Sequence, residues 1–197
     1  MTEEELQQIA DNLKNFKGRV KGEIFRTHAD YIKSKEGEDG IKKVEEKMAE
    51  LGVPINFSSI KSFDWFSEGL SSLTIVVAKE IFNWTEEDVF EMGRFAPKFS
   101  FIIKVMIQYL ASIDTLFENT KKYWDKHFDF GYIETSLDKE KKQMIVKEYE
   151  FNTHPLSCVY HAGYFKGLCE FAVKSKDIKV KYTYQKNGYN EYIIVWN

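Results

Sequence analysis

The chain has 197 residues, of which 43% are apolar and 16% aromatic, and its formal charge is −3. A chain of this length buries about 70% of the surface that its unfolded state exposes, so the fold needs no metal or disulfide for stability. The aromatic content excludes a disordered chain, and the near-neutral charge lacks the basic surface typical of nucleic-acid binding.

The N-terminal segment, residues 1–17, is polar and predicts a helical extension over about residues 2–15. Its beginning lacks the charged-then-apolar layout of a signal peptide. The longest apolar run, residues 99–110, is interrupted by Lys104 and Gln108 and is shorter than the ~20 residues of a membrane-spanning helix. We therefore expect a cytoplasmic protein without a membrane span, with residues 18–197 forming a single ligand-binding-like domain.

Helical spacing of apolar residues continues after this extension. Residues 24–51 predict two short amphipathic helices with a break at Gly37-Glu-Asp-Gly40. Gly52 follows as a C-terminal cap. Residues 65–82 predict the next helix, with Asp64 as its N-cap.

The middle of the chain predicts three further helices. Thr85-Glu-Glu-Asp88 resembles a capping box and begins a helix that we expect to end near Gly93–Pro97. The strongly apolar residues 99–113 predict the second helix, and residues 115–127 predict the third.

The last third of the chain predicts a hairpin, a helix and a second hairpin. Residues 130–151 form the first hairpin around Asp138-Lys-Glu-Lys-Lys142, and residues 178–196 form the second around Lys186-Asn187-Gly188. Residues 155–174 between them are apolar on nearly every face, and such a helix must be buried on nearly every face. The order predicts an α+β fold, with an antiparallel sheet of two hairpins packed against a central apolar helix and an N-terminal helical layer.

Two glycines and two cysteines lie on this central helix. Gly163 and Gly167 each cost roughly 1 kcal/mol relative to alanine, so they indicate either close packing of a neighbouring element or room for a ligand. Cys158 and Cys169 are eleven residues apart, roughly 16 Å along a helix at 1.5 Å per residue. That separation excludes a disulfide between them and agrees with a reducing compartment.

A metal site is one hypothesis for the start of this helix. His154, Cys158 and His161 are spaced i, i+4 and i+7, which places them on one face of a continuous helix, and zinc binds such donors. Pro155 predicts instead that the helix begins at or after His154, which turns that side chain aside. The alternative is that all three are core residues, and we predict no metal.

The sequence contains none of the short motifs of common enzymes, such as GxGxxG, the Walker A loop, GxSxG, HExxH or CxxC. Its acidic residues are numerous, but the sequence assigns no two of them to an acid–base pair. An enzyme therefore stays open, a non-enzymatic protein is favoured, and no cofactor is identified.

Val20-Lys21-Gly22, Gly93-Arg94 and the Gly163-xxx-Gly167 helix before a final hairpin resemble motifs of one diffuse superfamily. It contains 4-vinyl-reductase-type sensor domains, transport-protein-particle subunits and heme-NO-binding-associated proteins, and the likeness is to a poorly characterised bacterial branch. Over residues 18–197 the resemblance implies an α+β domain, often dimeric, that senses a small apolar or aromatic molecule and signals through a partner protein.

This chain departs from that superfamily in two respects. It lacks the cysteine cluster near the end of 4-vinyl-reductase-type domains, and it lacks the Tyr-x-Ser-x-Arg signature of heme-NO-binding domains. Both departures argue against zinc-type redox sensing and against heme.

We therefore predict a non-enzymatic sensory domain for an apolar or aromatic ligand. Its pocket is expected between the helix over residues 99–113, the segment over residues 160–171 and the sheet. A homodimeric interaction module and a metal- or heme-binding protein are the alternatives. The candidate ligand-binding residues are Arg94, Phe101, Met106, Tyr160, His161, Tyr164 and Phe165.

Overall fold

The computed structural model describes residues 1–100, 112–173, 175 and 177–197. Its helices are α1 (Glu3–Leu13), α2 (Gly22–Glu50), α3 (Glu68–Ile81), α4 (Glu86–Phe99), α5 (Ile113–His127) and α6 (Pro155–Ala172), with a 3₁₀ turn at Phe57–Ser59. Its strands are β1 (Arg19–Lys21), β2 (Trp65–Ser67), β3 (Tyr132–Asp138), β4 (Gln143–Tyr149), β5 (Ile178–Lys186) and β6 (Tyr189–Trp196). The predicted α+β class is confirmed.

Helix α1 packs as part of the N-terminal helical layer. Thr2 and Glu5 form a capping box at its start. Its apolar residues Leu6, Ala10 and Leu13 are buried in the same core as residues of α2, α3 and α4. The predicted helix is present, and the division of the chain after residue 17 stays a prediction.

The break predicted in the next helical segment lies at Gly37. Its backbone, at φ 75° and ψ −174°, interrupts α2 and joins two helical segments, and glycine adopts this positive φ more readily than other residues. The predicted start of α3 at Trp65 is wrong. Residues 65–67 pair instead with Arg19–Lys21 as an antiparallel two-stranded sheet, so α3 begins at Glu68 with Ser67, not Asp64, at the N-cap position.

Helix α4 begins at the predicted capping box, where the side chains of Thr85 and Asp88 each accept the other residue's backbone N–H. It does not end near Gly93–Pro97 as predicted but continues to Phe99. Gly93, which suggested a helix end, lies inside the helix instead, because α6 packs against it.

Helices α4 and α6 cross with their backbones in contact. A Cβ atom on Gly93 would overlap the carbonyl oxygen of Tyr160, and a Cβ atom on Gly163 would overlap the carbonyl oxygen of Phe90. A Cβ atom on Gly167 would lie 2.6 Å from a carbonyl oxygen of α4. Since only glycine allows this approach, the packing interpretation of the two α6 glycines is confirmed.

The two predicted hairpins form one antiparallel sheet in the order β3-β4-β6-β5. The hairpins join through β4 and β6, where Val146 lies opposite Tyr192 and Glu148 lies opposite Asn190. The second hairpin turns at Asn187-Gly188, both with positive φ, which is typical of a two-residue type I′ turn.

Helix α6 lies between two hydrophobic clusters. Leu156, Val159 and Tyr160 belong to the cluster of α1–α4, whereas Phe165 and Leu168, among others, belong to the cluster of α5 and the sheet. From residue 156 to residue 169 only two side chains, at positions 164 and 166, are not fully buried. The prediction of burial on nearly every face is confirmed for this stretch.

The helix predicted over residues 99–113 lies mostly outside the described residues. Its first residue, Phe99, ends α4, and Ser112 caps α5. Among the helices that the structure describes, none is long and apolar enough to cross a membrane.

The helix crossing yields a stability prediction. Gly163→Ala should lower the free energy of unfolding by about 1–3 kcal/mol, because the new methyl group overpacks the α4 backbone. The higher helix propensity of alanine would by itself raise the free energy of unfolding, by about 1 kcal/mol. Urea unfolding of the full chain measures the difference.

Gly167→Ala serves as the graded comparison and should cost less, since its Cβ has more room. A Gly163→Ala variant that is as stable as the natural chain would show that the two helices do not touch backbone to backbone.

Candidate ligand-binding cavity

A cavity lies where α6 meets the N-terminal turns of α2, the end of α4 and one face of α5. The space open to the centres of water molecules is about 40 Å³, enough for roughly three waters at 10–15 Å³ each. We call it the α6 cavity. The prediction that the sheet forms one wall is wrong, because all the described lining residues come from these helices and from Ser100 and Phe128, which directly follow α4 and α5.

Helix α6 supplies one wall through Tyr160, His161, Tyr164, Phe165 and Leu168. The first four were predicted from the sequence as ligand-binding residues, and the structure brings them together. That they bind a ligand stays a prediction.

Of the other predicted residues, the structure describes only Arg94. Arg94 is not among the lining residues, and its guanidinium donates to Glu170 at 2.6 Å and to Glu91 at 3.0 Å. It therefore ties α4 to α6, and a ligand-binding role for Arg94 stays a prediction. Phe101 and Met106 lie outside the described residues.

Helix α5 supplies the wall that the sequence interpretation missed. Thr120, Tyr123, Trp124 and His127 line the cavity, and their spacing of i, i+3, i+4 and i+7 places them on one face of the helix. This spacing was readable from the sequence as a buried face. Nothing in the sequence indicated that this face meets α6.

Trp124 places a buried hydrogen-bond donor on the α5 wall. It is 5% exposed, its ring stacks on Phe128 with centroids 4.3 Å apart, and it meets His161 edge-on at 5.6 Å. No described residue forms a hydrogen bond with its indole N–H. An unpaired buried donor costs about 1–3 kcal/mol, so the cavity wall contains a group that an acceptor would stabilise.

Behind the wall, His161 meets a buried carboxylate. Its Nδ1 lies 2.7 Å from Oε1 of Glu148 on β4, a side chain with no exposed surface. The second oxygen of Glu148 accepts from the Asn190 amide at 2.7 Å and from the Tyr192 hydroxyl at 2.8 Å. Since both donors lie on β6, one carboxylate connects the cavity wall to two strands.

Two buried groups have pKa values shifted by this environment. Burial by itself lowers the pKa of His161, but the adjacent Glu148 carboxylate outweighs it and raises the pKa above its ordinary value. Burial raises the pKa of Glu68, on α3, to about 7, and its attraction to His161 and the Ser72 hydroxyl oppose that shift in part. The carboxyl groups of Glu148 on the sheet and of Glu68 on α3 thus both interact with His161.

His28 on α2 lies next to this cluster. It is fully buried, it meets Tyr160 edge-on at 5.0 Å, and neither ring nitrogen has a hydrogen-bond partner among the residues that the structure describes. Burial lowers its pKa to about 3, so the ring is neutral near pH 7.

The metal hypothesis finds no support in this geometry. Helix α6 begins at Pro155, and Nδ1 of His154 accepts the backbone N–H of Leu156 at 3.2 Å. Burial raises the thiol pKa of Cys158 to about 12, whereas metals bind the thiolate. Within the described part of the chain, no three His, Cys, Asp or Glu residues are grouped as metal ligands.

No protein-family model matches the chain, and no curated protein matches it. Solved structures match over most of its length. An H-NOX protein from S. oneidensis in the Fe(II) ligation state is 13% identical, with a TM-score of 0.69 over 90% of this chain and 96% of that one. A Cs H-NOX mutant is 16% identical, with a TM-score of 0.66 over 90% of this chain and 97% of that one.

At these identities the likeness concerns the fold, and the chain has an H-NOX-like fold. This agrees with the heme-NO-binding part of the predicted resemblance. The 4-vinyl-reductase-type part is not supported.

Glu68 yields a pH prediction. Its pKa is raised in the folded chain, so the folded state holds the proton where the unfolded state has lost it, and stability falls as pH rises from about 4.5 to about 7. Glu68→Gln removes this titration. The stability of the variant relative to the natural chain should rise by about 3 kcal/mol between pH 4.5 and 8, at about 1.4 kcal/mol per pKa unit.

Denaturant unfolding at a series of pH values measures this difference. Glu46→Gln changes an exposed glutamate of α2 and should give a flat difference profile. A flat profile for Glu68→Gln as well would show that the Glu68 carboxyl is not held in a desolvated site.

Proposed function

We propose that the protein is a non-enzymatic sensory domain that binds a small, mostly apolar molecule in the α6 cavity. The cavity itself carries the proposal, because aromatic and aliphatic walls with a few polar groups are typical of small-molecule sites. The fold supports it as well, since H-NOX structures of the same fold include Fe(II)NO and Fe(II)CO ligation states. Dimerisation and a signalling partner stay predictions.

The size of the cavity limits the ligand. Space for roughly three waters accepts a molecule of about three or four non-hydrogen atoms. Burial of its apolar surface supplies the binding energy, at about 25 cal/mol per Å². The aromatic ligand predicted from the sequence needs more room than this cavity offers. Leu168 is one of the side chains that bound the cavity.

Heme is the alternative that the fold raises, and the described residues do not fit it. The cavity space of about 40 Å³ is far below the 300–1,000 Å³ of typical ligand pockets. The rings of Trp124, Phe128 and Phe165 stack on one another at 4.3 Å and 6.4 Å, which leaves no flat slot between them. The Tyr-x-Ser-x-Arg signature is also absent from the sequence.

A cavity-size series tests the proposal. Isobutene, with four carbon atoms, should bind the natural chain and shift the NMR resonances of α5 and α6. Benzene should bind Leu168→Ala more tightly than the natural chain, because the substitution enlarges the cavity. At benzene tenfold above its Kd, the variant gains about 1.4 kcal/mol in free energy of unfolding.

Leu73→Ala is the matched control. Leu73 is fully buried in the cluster of α1–α4 and does not line the cavity, so the variant should lose similar stability but gain only the space of one side chain. Leu168→Ala adds the same space to an existing cavity and should therefore bind benzene more tightly than Leu73→Ala. The proposal fails if isobutene shifts no cavity resonance and benzene stabilises both variants equally.

A hemin titration tests the alternative. We expect the freshly purified chain to show no Soret band, and added hemin to produce none in stoichiometric amount, because the aromatic packing has no slot for a porphyrin. Absorption spectroscopy measures this. A stoichiometric Soret band that disappears in a His161→Ala or His127→Ala variant would overturn the expectation and assign heme to this cavity.

A further inference from the structure

We propose that the ligand of the α6 cavity carries an acceptor oxygen, on a carbonyl or carboxylate group, which receives the indole N–H of Trp124 beside His161. This inference rests on the proposed function, because it assigns a ligand class to the same cavity. It starts from a donor that the rest of the molecule leaves unpaired.

Two buried tryptophans provide an internal comparison. The indole N–H of Trp84 donates to Oε1 of Glu36 at 2.8 Å, so the fold pairs that donor within the protein. Trp124 is equally buried, and within the described part of the chain its N–H has no partner. Buried indole donors usually have a partner, and the difference between the two sites is that Trp124 lines a cavity.

The immediate neighbours of Trp124 offer that donor little. Among the described residues, Phe128, Phe151 and Phe165 lie around it with ring centroids 4.3–6.4 Å away, and phenyl rings carry no lone pair. His161 meets it edge-on at 5.6 Å, but no hydrogen bond joins the two rings. The indole nitrogen itself is buried, so a ligand acceptor reaches it with a small shift of the surrounding rings. A carbonyl or carboxylate oxygen inside the cavity is therefore the kind of acceptor that would pair with the indole.

His161 adds a second polar group to the same wall. Its Nδ1 faces the Glu148 carboxylate, which places a proton on Nδ1 and leaves Nε2 as the other polar atom of a ring that lines the cavity. When the ring is protonated, Nε2 is a donor too. A ligand carboxylate then gains more binding energy from this donor than a ligand carbonyl does. Glu23 also lines the cavity, and a negative charge on its carboxylate weakens the binding of an anionic ligand.

Three ligands of equal size separate these contributions. Acetone, acetate and isobutene are planar molecules with four non-hydrogen atoms each. Acetone adds a neutral acceptor to the apolar shape, and acetate adds a charged one. NMR titration of the full chain, following the tryptophan indole N–H resonances, gives a Kd for each ligand and shows whether the Trp124 resonance moves.

We expect acetone or acetate to bind about fivefold more tightly than isobutene, the gain from one hydrogen bond, and to shift the Trp124 indole proton downfield. A preference for acetone identifies a carbonyl ligand, and a preference for acetate identifies a carboxylate. Trp124→Phe should abolish the preference while isobutene still binds. Trp84→Phe, the matched control, should retain it.

The role of His161 is tested with its partner neutralised. His161→Gln combined with Glu148→Gln avoids leaving an unpaired buried carboxylate. The double variant should weaken acetate several-fold and leave acetone within about twofold. Unchanged acetate affinity would remove His161 from the site.

The outcomes distinguish the inference from the function on which it rests. If isobutene binds as tightly as acetone and acetate, and the natural Trp124 resonance does not move, the acceptor proposal is overturned while the cavity remains a binding site. If none of the three ligands binds, the proposed function itself fails. The indole shift in the natural chain decides the question even where Trp124→Phe does not fold.

Discussion

The backbone contact between α4 and α6 is the constraint on which the rest of the structure depends. Gly93 and Gly163 let the two helices meet without side chains between them, and this fixes α6 at the boundary of the two hydrophobic clusters. Gly163 lies between Tyr160 and Tyr164 along α6, and both tyrosines line the cavity. The glycines therefore bring no chemistry to the site, but they set the position of the wall that carries it. Their conformational cost in a helix interior is offset by a contact that no other residue allows.

The second constraint is electrostatic. A buried carboxylate is costly unless it is paired and hydrogen-bonded, and Glu148 receives donors from Asn190 and Tyr192 while it faces His161. This arrangement makes the cavity wall continuous with the centre of the sheet through polar contacts. A change in the charge or position of His161 therefore acts first on β4 and β6. Such a connection gives a cavity on one helix a physical route to the strands behind it.

Much of the fold was predictable, because its signals are local. The hairpins follow from period-two alternation and turn residues, and the capping box at Thr85 and the break at Gly37 follow from backbone chemistry. The errors have tertiary causes. Trp65–Ser67 is a strand because a distant segment pairs with it, and α4 continues through Gly93 because α6 packs there. Likewise the α6 side of the cavity was predicted, whereas its α5 side depended on which helix faces which, and periodicity does not encode that.

Several groups that break the rules of protein interiors lie around α6. Among the described residues, Trp124 has an unpaired indole donor, His28 has two unpaired ring nitrogens, and Glu68 is a buried acid whose pKa burial raises to about 7. Sequences that fold well tolerate such violations mainly where function requires them. Trp124 lines the cavity itself, His28 packs against its wall residue Tyr160, and Glu68 interacts with its wall residue His161. Apolar side chains of similar volume at buried polar positions are often neutral or stabilising, so the concentration of these groups around α6 supports the proposed binding role of the cavity.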